Sequence, residues 1–332
     1  MTQPKLLLLS TGGTIASVAS DSGLAPGANG AELVRTLGEM PFDLTIKDIL
    51  HLDSSNIQPE DWQLIAKTVY EERLHYDGIV ITHGTDTMAY TASMLSFMLQ
   101  QIEIPVIITG SQVPINVVLS DAQDNLRLAF SAALTKHPGV FVAFDGKIMR
   151  GARSVKVRTT DFNAFESVNF PPVATVTSDG LVYRPELMRD ELTKPCQLQA
   201  TVETQVALIK LFPGFDPQML YSMVEHGCRG IVIEGYGLGG MNFIRRNLVA
   251  VVGDLIAQGI PVVATSQCLY ERSDLTKYEV GREALLKGAI SAHDMTSESA
   301  ITKLMWALGQ GMDLAAVKQV FEQDLVGEVT LN

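Results

Sequence analysis

The sequence predicts an α/β protein of two α/β domains, a larger amino-terminal one and a smaller carboxy-terminal one, each built on a parallel sheet. Three observations carry that expectation. Short apolar, β-branched runs alternate with longer amphipathic stretches along most of the 332 residues. Each short run is continuously apolar rather than alternating, the pattern of strands covered on both faces. The rhythm breaks once, from about Tyr183 to Thr204, where the chain turns polar, carries Pro185 and Pro195, and follows neither period.

In chain order, the leucines Leu6 to Leu9 predict a strand over 5–10, and Ile79-Val80-Ile81 one over 78–82. Val106-Ile107-Ile108 and Val140-Phe141-Val142 predict strands over 105–109 and 140–144. Amphipathic stretches predict helices over 59–74, 87–99 and 122–135. Past the break, strands are expected over 205–211, 230–234 and 261–265, with helices over 243–258 and 297–309. The domains are therefore drawn at 1–184 and 205–332, with a linker over 185–204.

Composition narrows the function. With 46% hydrophobic and 19% charged residues, the chain can bury a sizeable core. Its 37 acidic against 25 basic residues give a net charge of −12, which argues against a nucleic-acid partner. A small anionic ligand in a local pocket stays open. Cys196, Cys228 and Cys268 are far apart, with no CxxC pair. That fits a reducing compartment better than a disulfide framework or a zinc site. Four leucines are too few for a signal-peptide core, and no run reaches membrane-spanning length. A cytoplasmic protein with no membrane partner is expected.

Ligands of open parallel sheets bind beyond the carboxyl ends of the strands. Two loops at such ends are dense in Thr and Gly. In Ser10-Thr11-Gly12-Gly13-Thr14-Ile15 the glycines let a ligand approach the main chain, and Thr14 can present its hydroxyl beside backbone N–H groups. The plain alternative is a Gly-rich turn with a hydroxyl cap. In Thr82-His83-Gly84-Thr85-Asp86-Thr87-Met88, either Asp86 or Thr87 is placed to cap the following helix. The functional reading turns Thr85 and Asp86 toward the crevice, with Asp86 as a fixed charge for a substrate ammonium. His83 reads as a packed, hydrogen-bonded residue before it reads as a base.

These two loops together resemble the L-asparaginase/glutaminase family, whose members pair Thr-Gly-Gly-Thr-Ile with a later His-Gly-Thr-Asp-Thr-Met. Thr14 and Thr85 stand 71 positions apart, a spacing that also matches. Further matching pieces are Asp53-Ser54-Ser55 ahead of Pro59-Glu60-Asp61-Trp62, Gly110-Ser111-Gln112, and Lys156 in Arg153-Ser154-Val155-Lys156. Gly235-Tyr236-Gly237 and Asp294-Met295-Thr296-Ser297-Glu298 extend the resemblance over essentially the whole chain, on its cytoplasmic bacterial branch.

The resemblance implies hydrolysis of the side-chain amide of L-asparagine to L-aspartate and ammonia, without metal or organic cofactor, with an amidohydrolase of substantial glutaminase activity as the alternative. It implies Thr14 as the nucleophile of an acyl-enzyme and Thr85 as the group that positions water. Lys156 and Asp86 complete a Thr-Lys-Asp set, with Asp53, Ser54 and Ser55 on the substrate's α-carboxylate and α-amino groups. A homodimer or homotetramer is implied as well. Apart from the resemblance, Lys156 reads as an exposed strand-edge lysine, and Asp53-Ser54-Ser55 as a turn and helix cap.

The chain departs from the family in two places. Many members carry a tyrosine in the loop after the nucleophile. Here that loop, 17–30, has Leu24 near the usual position, and the first tyrosine of the chain is Tyr70. Tyr278 could reach a site from the second domain or a neighbouring subunit, although packing is its expected role. Activated relatives use an Arg just before the Tyr-Gly turn, and this chain has Glu234 there, a solvated strand-end carboxylate by composition alone. Val155 precedes Lys156, and Cys268 persists in Ser266-Gln267-Cys268. A carboxylate cannot grip an effector's α-carboxylate as Arg does, so activation by asparagine is not expected.

Three other functions compete. Gly235-Tyr236-Gly237-Leu238-Gly239-Gly240 follows a strand like a dinucleotide fingerprint, but the end of the next strand, where an acidic residue would be needed, carries Ala264 and Thr265. A non-catalytic amino-acid sensor would keep Ser54 and Asp86 without needing Thr14, Thr85 and Lys156 together. The amidase subunit of a tRNA-dependent amidotransferase shares the motifs, but usually carries an extra amino-terminal domain, whereas Thr14 follows 13 residues here.

Overall fold

The computed structural model describes residues 3–20, 23–26, 29–35, 37–38, 40–188 and 192–331. Contacts within the chain divide it into two compact units, Met1–Ala200 and Thr201–Asn332, each an α/β unit on its own sheet.

In the first unit an eight-stranded sheet runs in the order Gly180–Tyr183, Ala174–Thr177, Lys147–Arg150, Gly139–Phe144, Pro105–Thr109, Gly78–Thr82, Lys5–Gly12, Asp43–Leu52. The last five are mutually parallel and include all four strands expected from the amino-terminal sequence. The other three are antiparallel additions. Gly78–Thr82 and Pro105–Thr109 are buried at every position, which is why they read as continuous apolar runs. Helices Pro59–Glu72, Met88–Met98 and Ala122–Ala133 lie where the amphipathic period put them.

Counted in chain order, the five parallel strands are arranged 2-1-3-4-5. The order reverses between Lys5–Gly12 and Gly78–Thr82, and such a reversal opens the crevice where open α/β sheets bind ligands. The loops carrying Thr14 and Thr85 follow those two strands.

Several elements depart from expectation. Asp43–Leu52 forms the edge of the sheet and alternates between exposed and half-buried residues, so it lacks a continuous apolar run. Asp145 and Gly146, with φ of 46° and 71°, make the tight turn that reverses Gly139–Phe144 into Lys147–Arg150. The stretch 17–30, expected as a loop, contains the paired strands Ser17–Ser20 and Gly23–Pro26, and Gly30 opens the helix Gly30–Arg35. Leu24 lies on the second of these strands, and its side chain is outside the described residues. The polar residues beyond 192 are fastened to the first unit. Cys196 is buried and its N–H donates to Glu103 at 3.0 Å, while the Gln199 N–H donates to the Met98 carbonyl at 2.9 Å.

The second unit is a four-stranded parallel sheet in the order Val206–Lys210, Gly230–Gly235, Val262–Ser266, Ile290–Ser291. Ile231, Ile233, Val252, Leu255 and Val262 are central to its core. The helix expected over 243–258 begins only at Leu248. Arg246 has a left-handed backbone, φ 48°, which a helix cannot run through, and the Asn247 side chain caps by accepting the Ala250 N–H at 2.9 Å. The glycines 235–240 are therefore not joined to a helix start, and the helix N-terminus that receives a dinucleotide's pyrophosphate is missing from the turn. Helices Gln218–Glu225, Glu279–Leu286, Ser297–Gly309 and Leu314–Phe321 cover the sheet. Among the described residues no helix is long and apolar enough to cross a membrane.

Candidate active site

The first loop is shaped by glycine. Gly12 and Gly13 have φ of 101° and 80°, values that side-chained residues rarely adopt. A Cβ on Gly13 would stand 2.3 Å from the Gly84 nitrogen, so glycine alone lets this turn lie against the second loop. The Thr11 hydroxyl donates to the Thr82 carbonyl at 2.7 Å, and the Gly13 N–H donates to the Leu52 carbonyl at 2.9 Å. Thr14, next in the chain, opens a short 3-10 turn, Thr14–Ala16. Its half-buried hydroxyl has no hydrogen-bond partner among the described residues.

Across the turn, Thr85 is buried and its hydroxyl meets two side chains. Lys156 Nζ donates to Thr85 Oγ1 at 2.7 Å and to Asp86 Oδ1 at 2.6 Å. The Thr85 hydroxyl donates in turn to Gln112 Oε1 at 3.3 Å. Lys156 ends the strand Ser154–Lys156, which pairs with Phe165–Ser167. Its side chain is 16% exposed against 58% for Asp86, so it is a sequestered group and not an exposed edge lysine. Neither the Asp86 nor the Thr87 side chain caps the helix Met88–Met98. Asp86 holds Lys156, and the Thr87 hydroxyl donates to the Ser54 carbonyl at 2.7 Å.

Ser54 is buried against Gly84, and its Oγ accepts the Asp86 N–H at 3.2 Å. Asp53 and Ser55 are exposed, and Asp53 accepts the Ser55 N–H at 2.9 Å as the cap of the short turn Ser54–Asn56. The fold thus gathers Ser54, Thr85, Asp86 and Lys156 by direct contact and sets Thr14 beside them through Gly13 and Gly84. Asp53 and Ser55 join through that turn alone. The sequence marks Gly110-Ser111-Gln112 but gives Gln112 no role, and its contact with Thr85 has no local signal, since 27 residues separate the two.

His83 lies directly behind this loop, fully buried. Nδ1 donates to the Gly84 carbonyl at 2.7 Å, and Nε2 accepts from the Thr91 hydroxyl at 2.9 Å. Thr91 in turn accepts the Trp62 indole N–H at 3.0 Å. This is the packed histidine that the sequence suggested. Burial, only partly offset by the Gly84 carbonyl, lowers its pKa to about 4. An imidazole near 6.5 when unfolded and near 4 when folded stabilises the fold above the higher value and loses that contribution as pH falls through the window. The expected loss is about 3 kcal/mol. Thermal midpoints should fall between about pH 6.5 and pH 4, and His83→Gln should flatten that fall. An equal slope in His83→Gln would show that other groups carry it.

The second unit corrects two expectations. Tyr278 is 59% exposed and so is not packed in the core of its unit. Glu234 is not solvated. Its side chain is 17% exposed, accepts from the Ser297 hydroxyl at 2.6 Å and lies 3.7 Å from Lys210 Nζ. Burial, reinforced by the charge of nearby Glu234, pushes the Glu298 carboxyl above its ordinary range. Val155 is buried, and Cys268 is exposed and free. Among the described residues, no group of three or more His, Cys, Asp or Glu is arranged to hold a metal ion.

The family model for the asparaginase amino-terminal domain matches residues 5–189, and that for the glutaminase/asparaginase carboxy-terminal domain matches 205–321. The chain belongs to the asparaginase family. It is 46% identical over 331 residues to an L-asparaginase of Thermococcus kodakarensis, a match covering 98% of this chain and 99% of that protein. The solved structure of the thermostable L-asparaginase from Thermococcus kodakarensis superimposes with a TM-score of 0.93 at 44% identity, covering 99% and 100% of the two chains. L-asparaginase I from Vibrio cholerae follows with a TM-score of 0.88 at 32% identity, covering 99% and 100%. The chain is also 36% identical to a glutamyl-tRNA(Gln) amidotransferase component of Pyrococcus furiosus, over 98% of this chain and 77% of that one. Within the asparaginase family, then, both domain types are present, and the loops of Thr14 and Thr85 flank the crevice of the first.

Proposed function

We propose that this chain is an L-asparaginase working through an acyl-enzyme on Thr14. Supporting this is the cluster of Lys156, Thr85 and Asp86, whose loop meets that of Thr14 at Gly13 and Gly84, with the Thr14 hydroxyl unpartnered among the described residues, in a chain whose relatives are named L-asparaginases. Thr14 Oγ attacks the side-chain carbonyl of L-asparagine. As the C–N bond breaks, the departing nitrogen takes up the proton lost by Thr14 and leaves as ammonia. Water then adds to the ester, the C–O bond to Thr14 breaks, and L-aspartate departs while Thr14 regains its proton. Thr85 positions that water, Lys156 fixes Thr85 and Asp86, and the second Asp86 oxygen meets the substrate ammonium. Asp53, Ser54 and Ser55 receive the α-carboxylate and α-amino groups.

One observation favours a second reading. Lys156 Nζ touches Thr85 and not Thr14, so Thr85 could be the nucleophile with Lys156 as its base. Against this, the Thr85 hydroxyl donates to Gln112 and not to Lys156. Thr14 remains the assignment.

Ammonia release by the purified protein from each amide, across a wide range of concentration, tests the reading. Asparagine should exceed glutamine in kcat/KM by at least about tenfold, because the extra methylene of glutamine misplaces its amide. The asparagine curve should be hyperbolic, since Glu234 stands where activated relatives use an Arg to hold an effector's own carboxylate. No ammonia from either amide would end the amidase reading, and a Hill coefficient well above one would end the second half.

We also propose a cytoplasmic homodimer or homotetramer. The consecutive apolar residues Val117, Val118 and Leu119 are 47%, 86% and 85% exposed, a patch that a second copy would cover. A monomeric mass in sedimentation at micromolar protein would contradict it.

A further inference from the structure

Gln112 ties three loops of the first unit together through one carboxamide. Its Nε2 donates to the Thr159 carbonyl at 3.0 Å and to the Asp161 carbonyl at 3.1 Å, both in the loop that follows Lys156. Its Oε1 accepts the Thr85 hydroxyl at 3.3 Å. The backbone beneath it is fixed as well. The Gln112 N–H donates to both oxygens of Asp121 at 3.1 and 3.0 Å, and the Val113 N–H donates to the same carboxylate at 3.1 Å. The amide has one workable orientation. Turned over, its oxygen would face two backbone carbonyls and its nitrogen would compete with Lys156 for Thr85.

The consequence falls on Thr85. A hydroxyl has one proton, and here it is committed to Gln112 on one side while Lys156 donates on the other. The lone pair that remains faces neither partner. A hydroxyl with that lone pair available accepts a proton from water, and a water held this way directs its own oxygen lone pair outward, as attack on an ester carbonyl requires. Were the proton free to rotate, Thr85 would donate to the water for part of the time and hold it the wrong way round.

We infer that Gln112 is a positioning residue for the deacylation step, fixing the direction of the Thr85 hydroxyl proton and thereby the orientation of the attacking water. The inference rests on the asparaginase reading, and its test is separable from the test of that reading.

Gln112→Leu keeps the bulk and removes both polar functions. Its kcat for asparagine should fall by about 10- to 100-fold with KM changed less than about threefold, the size of one lost directed hydrogen bond. Gln112→Glu supplies a sharper readout. As a carboxylate it keeps an acceptor for Thr85 but sets its second oxygen against the carbonyls of Thr159 and Asp161. Once protonated it restores one of the two donors toward that loop and keeps an acceptor for Thr85. The kcat of Gln112→Glu, divided by that of the unaltered enzyme, should therefore rise as pH falls through the range in which the new carboxyl takes up its proton. A flat ratio would overturn the inference, whatever the level of activity, and so would an unchanged kcat in Gln112→Leu. If Gln112→Leu fails to fold, the pH ratio of Gln112→Glu alone decides. Absence of asparagine hydrolysis in the unaltered enzyme would instead remove the asparaginase reading beneath it.

Discussion

Thr14→Ala should lower asparagine turnover by roughly 10,000-fold or more, the scale seen when a covalent nucleophile is removed. The fold should be nearly indifferent. The Thr14 hydroxyl has no hydrogen-bond partner among the described residues, so its loss leaves no orphaned group behind. Thermal midpoints should agree within about 2 °C, the range of a substitution that breaks no buried contact. Thr85→Ala should be nearly as severe for a different reason. It leaves Lys156 and Gln112 without their shared oxygen, and release of the ester should stall while its formation persists. Activity retained in Thr14→Ala with a large loss in Thr85→Ala would favour Thr85 as nucleophile.

The largest expected effect on stability lies in the second unit. Lys303 and Glu328 are both fully buried and form an ion pair at 2.5 Å. Lys303 also donates to the Gln323 carbonyl at 2.8 Å, and Glu328 accepts the N–H groups of Leu325 and Val326, the latter at 2.7 Å. Burial by itself would push the Glu328 carboxyl up. The Lys303 ammonium and the backbone donors overcome that push and hold it below the ordinary carboxylate range. Lys303→Met removes the compensating charge and keeps the bulk, leaving a buried carboxylate unpaired. The expected cost is about 3–5 kcal/mol, read from denaturant unfolding of the second unit. Lys303→Met combined with Glu328→Gln should recover part of this, because a neutral amide still accepts the two N–H groups. A loss below about 1 kcal/mol in the single variant would show that the pair is not desolvated as its burial implies.

What the sequence made legible follows from burial. Ile79-Val80-Ile81 and Val106-Ile107-Ile108 sit where helices cover both faces of the sheet, so composition alone marks them. Asp43–Leu52 escapes the same reading because an edge strand is covered unequally and mixes polar with apolar residues. The turn at Asp145-Gly146 carried a usable signal, since an Asp-Gly pair between apolar runs favours the positive φ values observed. The start of the helix at Leu248 was set by one left-handed residue, Arg246, and no periodicity reports a single dihedral angle.

The candidate site divides in the same way. Thr14, Thr85 and Asp86 announce themselves because glycines crowd around them, and glycines crowd there because Gly13 and Gly84 must nearly touch. Lys156 is different. No local pattern separates a lysine ending a short strand from one in solvent, and only the family resemblance singled it out. Gln112 and the Trp62–Thr91–His83 chain depend wholly on contacts between residues distant in sequence, which periodicity does not record. Glu234 reads as solvated for the same reason, because Ser297, its partner, is 63 residues away.

The claim that Thr14 is the acylated residue is open to direct inspection. The unaltered protein and Thr85→Ala would each be mixed with asparagine, quenched in acid within the first turnovers, digested and mapped by mass spectrometry. One aspartyl group should be found on the peptide containing Thr14, accumulating more in Thr85→Ala than in the unaltered protein. The same group on the peptide containing Thr85 in the unaltered protein, with the Thr14 peptide unmodified throughout, would contradict the assignment and make Lys156 the base of a Thr85 nucleophile.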